Sequence, residues 1–402
     1  MFSKNKIDTN PDKINNILSR NIEDVFIVDS LRKKLESGKQ LRIKLGFDPT
    51  GSNIHIGRAV VLRKIREFQK LGHKVVFIVG DFTAKIGDPS DKLEKRPMLD
   101  NKKIKENLKD YKRQVGKIID LSKSEFVYNS KWLSKLDFNE IAELAESFTV
   151  GQMTSRRNFK ERLDNGQEVS LREFLYPLMQ GYDSVMVDSD IEIGGFDQLF
   201  NLKAGRTIQK FYNKTEQDVL TTIMLEGTDG RKMSTSWGNV INIVDLPEDM
   251  FGKIMSLNDD LIIKYFKVCT DLDDNKINLY EEKINSEELN PRDVKVELAK
   301  EIIKIYHSDK DADLAAENFN KTFKDGGVPN NVLNVSKKEG DRLDEILIEE
   351  KLITSKNEWR RLVEQKSLTI IETGERIIDQ NYLIEKTNTY RIGKKRFIKI
   401  SL

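Results

Sequence analysis

Two polar segments, far apart in the chain, carry side chains suited to holding a polyphosphate. The first is Gly46 to Gly72, GFDPTGSNIHIGRAVVLRKIREFQKLG. Its Gly, Pro and Asp loop feeds a helix-forming run, so free backbone N–H groups and the positive end of a helix dipole face the loop's mouth. Gly46, Gly51 and Gly57 let a ligand come close to the backbone, and His55 stands where an imidazole can donate to a phosphate oxygen. The second segment, Gly227 to Ser236, GTDGRKMSTS, is polar, flanked by glycine and centred on Lys232. Loops of this kind can close over a polyphosphate. Taken alone, each segment reads more simply as a surface turn, and a lone histidine is more often structural. A third set, Tyr176, Gln180 and Asp183, is spaced i, i+4, i+7. That spacing puts three polar groups on one helix face, where a solvated stripe is the ordinary reading.

The elements that must position these groups are legible around them. Leu41 to Leu45 alternates and predicts a strand. Val60, Val61, Ile65, Phe68 and Leu71 fall on one face of a helix that follows Gly57, and Gly72 and His73 end it. Val75 to Val79 is a continuous apolar run, as in a strand buried on both faces. Strand, loop, helix, strand is a βαβ unit, and hence part of a parallel α/β sheet. Ser184 to Val187 and Ile191 to Gly195 are expected to add strands. From Leu246 to Phe323 the pattern is helical, with Asn290-Pro291-Arg292-Asp293 as a helix start. Asp325 to Asn331 reads as a linker. Ser355-Lys-Asn-Glu358 reads as a capping box opening a helix that carries Trp359, Leu362 and Val363, and the final RIGKKRFIKI is basic.

Composition narrows the class. The 402 residues imply two or three domains at roughly 100–200 residues each. The 68 basic and 66 acidic residues nearly balance, so any nucleic-acid surface must be local. The single cysteine, Cys269, sits in an apolar run and is expected in a core, which fits a reducing compartment. The first residues lack the apolar stretch of a signal peptide, and no run nears membrane-spanning length. These features predict a soluble, cytoplasmic protein with no membrane contact. His55, His73 and His307 are not at metal-ligand spacing, so no protein metal site is expected.

HIGR at His55–Arg58 and KMSTS at Lys232–Ser236 together resemble the HIGH and KMSKS pair of class I aminoacyl-tRNA synthetases. GFDPT, GDFTAKIGDPS at Gly80–Ser90, YPLMQGYDS at Tyr176–Ser184 and IGGFDQ at Ile193–Gln198 are similar to bacterial tyrosyl-tRNA synthetases. The resemblance spans nearly the whole chain. It implies an α/β fold with a Rossmann-like catalytic domain at 1–245, a dimerisation insert at about 98–170, and a helical anticodon-binding domain at 246–325. A linker at 326–340 and a small α+β S4-like RNA-binding domain at 341–402 complete it. The implied activity is tyrosine–tRNA ligation, in which ATP with Mg²⁺ forms tyrosyl-adenylate and tRNA(Tyr) accepts the tyrosyl group. The implied state is a homodimer, with ATP as a substrate and no tightly bound cofactor. Thr50, His55 and Lys232 match positions acting on the triphosphate, and Lys92 and Arg96 match cations used on the pyrophosphate. Asp48, Gly57, Arg58, Gly195, Asp197, Met233, Ser234 and Thr235 match the ATP site. Lys44, Gly46, Asp88, Tyr176, Gln180, Asp183 and Gln198 match the tyrosine site, with Asp183 accepting from the phenol and Tyr176 and Gln180 on the ammonium.

The sequence also departs from that pattern. Arg58 replaces the second histidine of HIGH, Thr235 the second lysine of KMSKS, Phe196 a small residue, and Asp91 a glycine. Lys44 stands where the better-known branch has tyrosine; a second bacterial branch, with LRIKLG as here, carries lysine. Phe196 either reshapes the site, marking a paralogue that activates a modified or different amino acid, or points away from it; the intact Tyr176–Gln180–Asp183 set favours the second. A non-catalytic RNA-binding protein on the same scaffold is the alternative from another class. Arginine stays charged and grips phosphate bidentately, so Arg58 is a candidate to replace the missing lysine; drift at tolerant positions is the competing account. Compensation predicts that Arg58→His and Thr235→Lys are coupled in pyrophosphate exchange. Independent effects in the double mutant would refute it.

Overall fold

The computed structural model describes residues 7–89, 101–324, 332–393 and 396–402. Its contacts divide the chain into two compact units, one ending at Ser308 and one beginning at Asp309.

The first unit is built on a six-stranded sheet: β1 (Ile22–Phe26), β2 (Arg42–Phe47), β3 (Lys74–Val79), β4 (Ser124–Tyr128), β5 (Ile191–Gly195) and β6 (Asp218–Thr222), in the order β1-β6-β5-β2-β3-β4. Edge strand β1 is antiparallel to β6, and the other neighbours are parallel. The chain moves outward from β2 through β3 to β4, then returns to the other side of β2 as β5. The sheet therefore has a topological switch between β2 and β5, and ligands of such sheets bind beyond the strand ends there. Strand β3 is buried from Val75 to Val79, as its unbroken apolar run requires. The Ile56–Lys70 helix follows the β2 loop and buries Ala59, Val60, Ile65 and Phe68. The expected βαβ unit is thus present, with β2 running two residues past the predicted strand.

One expected strand gives way to structure, and two expected segments contain strands of their own. Ser184 to Val187 is the end of a helix, Leu171–Met186, with Val187 as its C-cap. Ser170 and Glu173 form a full capping box at its start, and the apolar period continues through Leu178, Met179 and Val185, so the three apolar residues that close it do not make a strand. Strand β4 falls inside the range expected for the dimerisation insert, yet it pairs with β3 over five residues as the edge of the main sheet. The described remainder of that range is mainly helical: Asn101–Val115, Ser130–Leu133, Phe138–Glu146, Val150–Thr154 and Arg157–Asp164. Part of the expected linker is strand β7 (Leu333–Ser336), because Val335 packs on the core of the second unit.

Helices Pro247–Met255, Ile262–Cys269, Asp274–Asn285 and Pro291–Tyr306 complete the first unit. Asn290 caps the last, accepting from Arg292 N at 2.9 Å, and Cys269 is buried. In the second unit β7, β8 (Leu368–Ile370), β9 (Asn388–Ile392) and β10 (Arg396–Ser401) form a sheet in the order β7-β10-β9-β8. Trp359, Leu362 and Val363 from the Lys356–Glu364 helix join its core. Ser355 accepts from Glu358 N at 3.3 Å. The return half of the predicted box is absent, because Glu358 instead accepts from Thr354 N and is paired with Arg396. Among the described residues, no helix is long and apolar enough to cross a membrane.

The helix that carries Tyr176 and Asp183 lies against the Leu199–Phe211 helix at Gly181. A Cβ there would sit 2.5 Å from Ile208 Cδ1 and 3.1 Å from the Ala204 carbonyl oxygen. Gly181→Ala is expected to lower the first melting transition by calorimetry, since an overpacking cost of ~1–3 kcal/mol exceeds a helix-propensity gain of ~1 kcal/mol. An unchanged or higher transition would mean that Ile208 swings aside and the contact is slack.

Candidate active site

Beyond the C-terminal ends of β2 and β5 lies a cavity of about 1060 Å³. Its lining contains Gly46, Asp48, Thr50, His55, Gly57, Arg58, Asp88, Tyr176, Gln180, Asp183, Gly195, Asp197, Gln198, Lys232, Met233, Ser234 and Thr235. The residues singled out in three distant parts of the sequence therefore share one space. Lys92, Arg96 and Asp91 lie outside the described residues.

Backbone pairing joins the two polar segments. Ile56 N donates to Ile241 O at 2.8 Å, and Ile243 N donates to Ile54 O at 2.9 Å. This short ladder delivers the 227–239 loop to the helix that starts at Ile56. The Met233 sulfur sits 3.4 Å from Gly57 N, where a side chain on residue 57 would crowd both Met233 and His55. The loop is organised from within by Asn239. Its Oδ1 accepts from Ser234 N at 2.8 Å, and its Nδ2 donates to Asp229 at 2.7 Å and to the Lys232 carbonyl at 3.1 Å. Lys232 Nζ reaches Asp197 Oδ2 at 2.9 Å.

His55 is the N-cap of its helix and its Nδ1 accepts from Arg58 N at 3.3 Å. Burial, then the charges of Arg58 and Lys232, push its pKa down to about 3. The ring is therefore neutral, and with Nδ1 accepting, Nε2 carries the proton as a donor. Arg58 reaches back to Thr50 Oγ1 at 3.4 Å. One wall of the cavity thus offers an imidazole N–H, a hydroxyl, a guanidinium and a lysine ammonium.

A second set of lining residues is acidic. Asp183 is 3 % exposed and accepts from Trp132 Nε1 at 2.7 Å and Asn129 Nδ2 at 3.2 Å. Asp48 accepts from Thr83 Oγ1 at 2.6 Å and Tyr176 OH at 3.0 Å, which ties it to the residues expected at the amino acid as well as to the nucleotide loop. Burial raises both carboxyls to about 7; hydrogen bonds lower them, and Asp88 adds to the rise at Asp48. The close approach of Asp48 needs Gly80, where a Cβ would fall 2.0 Å from its Oδ1. Asp88 accepts from Gln198 Nε2 at 2.7 Å.

Lys44 is not part of the lining. It is fully buried, and its ammonium contacts Glu192 at 2.9 Å, the Gln180 carbonyl at 2.7 Å and Ser184 Oγ at 2.7 Å. Gln180 in turn donates Nε2 to Glu192 at 3.0 Å, which leaves its Oε1 as an acceptor. Lys44 therefore bears on the cavity through Glu192 and Gln180. Phe196 is 42 % exposed and is absent from the lining. Sequence reasoning missed Asn129, Trp132 and Glu192. Nothing in the pattern of the segment around Asn129 and Trp132 sets it apart, and Glu192 alternates in a strand like any buried polar residue. Thr83 lay within a quoted motif without being singled out.

A mostly parallel sheet with cationic and acidic groups lining one cavity at its switch point is the arrangement of a nucleotide-binding α/β fold. Residues 36–324 match the family model described as tRNA synthetases class I (W and Y). The chain belongs to that family. It is 44 % identical to the tyrosine–tRNA ligase of Thermotoga maritima, over 97 % of this chain and 98 % of that protein. It is 43 % identical to the tyrosine–tRNA ligase of Carboxydothermus hydrogenoformans, over 96 % of each. The solved structure of Archaeoglobus fulgidus tyrosyl-tRNA synthetase complexed with L-tyrosine shares the fold, with a TM-score of 0.61 and 23 % identity over 76 % of this chain and 99 % of that one.

Proposed function

We propose that the chain is a tyrosine–tRNA ligase, which joins tyrosine to ATP as tyrosyl-adenylate, releases pyrophosphate, and passes the tyrosyl group to tRNA(Tyr). The observation that carries this reading is the cavity shared by His55, Arg58 and Lys232 with Tyr176, Gln180 and Asp183. A carboxylate oxygen of the amino acid attacks the α-phosphorus, a bond forms there, and the bond to the bridging oxygen breaks toward pyrophosphate. No nucleophilic side chain is needed; positioning and charge stabilisation suffice. Thr50, neutral His55, Arg58 and Lys232 would take the triphosphate, and Lys92 and Arg96 are proposed to act on the pyrophosphate. Lys232 would exchange its Asp197 partner for phosphate. Gly195 and Asp197 suit the ribose end. Asp183 takes the phenolic hydroxyl, while Tyr176, Gln180, Asp88 and Gln198 surround the ammonium.

Among the described residues, no group of three His, Cys, Asp or Glu side chains could hold a metal. Mg²⁺ is proposed as a companion of ATP, liganded by phosphate oxygens and water, as is usual for that ion. We also assign tRNA contacts to the unit from Asp309 onward, where the Lys356–Glu364 helix buries Trp359 and exposes Lys356, Arg360 and Arg361. Such cations suit a phosphate backbone.

Tyrosine-dependent exchange of pyrophosphate into ATP tests the central reading. A different amino acid supporting exchange would indicate the paralogue, and no exchange with any of them the RNA-binding scaffold. Asp183→Ala should raise KM for tyrosine and erode rejection of phenylalanine, because the wild-type site strands a buried acceptor when no hydroxyl arrives. The acids raised to about 7 are protonated below that pH, while the ligand's donors want them ionised. KM for tyrosine should therefore rise as pH falls from 8 to 6, with KM for ATP changing less.

The homodimer is proposed on the exposure of Phe138 (85 %), Val150 (72 %) and Leu171 (79 %), apolar residues on the helices around the expected insert. Sedimentation should give twice the chain mass, and Phe138→Glu with Leu171→Glu should shift it to the monomer. A wild-type monomer would overturn this assignment.

A further inference from the structure

Asp88 is held on two sides by neutral amides, Gln198 Nε2 at 2.7 Å on Oδ2 and Asn201 Nδ2 at 3.4 Å on Oδ1. Behind it stands a cation that does not touch the cavity. Arg156 is 6 % exposed, and its guanidinium approaches Asp88 Oδ1 at 3.8 Å. Phe159 and Phe200 carry their ring centres 5.2 and 5.4 Å from it, so two aromatic faces attract and orient the cation. Among the described residues, neither Nη1 nor Nη2 of Arg156 has a hydrogen-bond partner. Burying a guanidinium with both terminal nitrogens unused is costly, and a hydrophobic residue would fill the same place without that cost. Packing alone therefore does not account for the arginine. Two residues on, Asn158 donates its amide to the Pro89 carbonyl. One segment, entering the Arg157–Asp164 helix, thus addresses both the Asp88 carboxylate and the backbone beside it.

We propose that Arg156 is a positioning residue for amino-acid binding, which holds the Asp88 carboxylate charged and in place for the ligand's ammonium. A guanidinium at this distance favours the ionised carboxylate. That matters in this cavity, because burial works against charge on Asp48 and Asp183. Arg156 acts through Asp88, since it is not among the residues lining the cavity. The Asn158 contact holds the backbone at Pro89, two residues after Gly87, whose φ is +86°.

The inference rests on the tyrosine-activation reading and is tested on the full chain by pyrophosphate exchange. Arg156→Met should raise KM for tyrosine roughly tenfold, the scale of coupling between contacting charged groups, with KM for ATP nearly unchanged. Arg156→Lys, which keeps the charge, should recover most of that loss. In an Asp88→Asn background, Arg156→Met should add little. An unchanged tyrosine KM in Arg156→Met, or independent effects of the two substitutions, overturns the proposal. If circular dichroism shows Arg156→Met to be unfolded, Arg156→Gln decides instead: a selective rise in tyrosine KM is expected there, and a wild-type tyrosine KM in Arg156→Gln overturns the proposal. Absence of tyrosine-dependent exchange in the wild type would instead defeat the function reading on which it stands.

Discussion

Two backbone hydrogen bonds, Ile56 N to Ile241 O and Ile243 N to Ile54 O, hold the site together. They close a chain segment of nearly half the sequence, and the closure entropy this costs grows only slowly with length. The gain is positional. His55 sits between the paired residues as a helix cap, and Met233 lies against the first free N–H of that helix. Lys232, next to Met233, is thereby brought to the same cavity as a histidine that precedes it by more than 170 positions. Side chains alone would not fix that distance. A ladder between main chains does, because its geometry depends little on residue type.

The cavity's lining carries both signs of charge. Arg58 and Lys232 line it beside a histidine that burial keeps neutral, as do Asp48, Asp88 and Asp183. This suits a pair of ligands in which one brings phosphates and the other an ammonium and a hydroxyl. Carboxylates so close together cannot all ionise cheaply, and the fold manages them in distinct ways. Asp183 takes two N–H donors from Asn129 and Trp132, Asp48 takes two hydroxyls, and Asp88 takes amides with a guanidinium behind it. Beneath them the buried Lys44–Glu192 pair is mutually compensated and orients Gln180. Removing one member of such a pair would leave a buried charge without its partner.

Close packing sets the remaining dimensions. Gly80 admits the Asp48 carboxylate, and Gly181 lets the Leu171–Met186 helix lie against its neighbour. Both glycines act by lacking a Cβ where another atom already is. The near full-length identity to tyrosine–tRNA ligases in Thermotoga and Carboxydothermus gives the family, while these contacts explain how this chain's own residues build the cavity. Arg58 and Thr235 line it together, so the charge lost from one segment and the charge gained in the other face the same space.

The sequence by itself determined the βαβ core, because a period of two, a period of 3.6 and an unbroken apolar run are local properties. It also determined the motif residues, whose types and order carry the resemblance. It did not determine what touches them. Ser184 to Val187 reads as a strand over four residues and is a helix end, since the capping box fourteen residues upstream had already set the helix. Strand β4 hides in a mostly helical stretch because an edge strand needs a partner, and β3 is distant in sequence. Trp132, Asn129 and Arg156 reach Asp183 and Asp88 only through tertiary contact. Lys44 sits behind the lining for the same reason: the choice between a ligand and Glu192 is made by distance and burial in three dimensions, which no one-dimensional pattern contains.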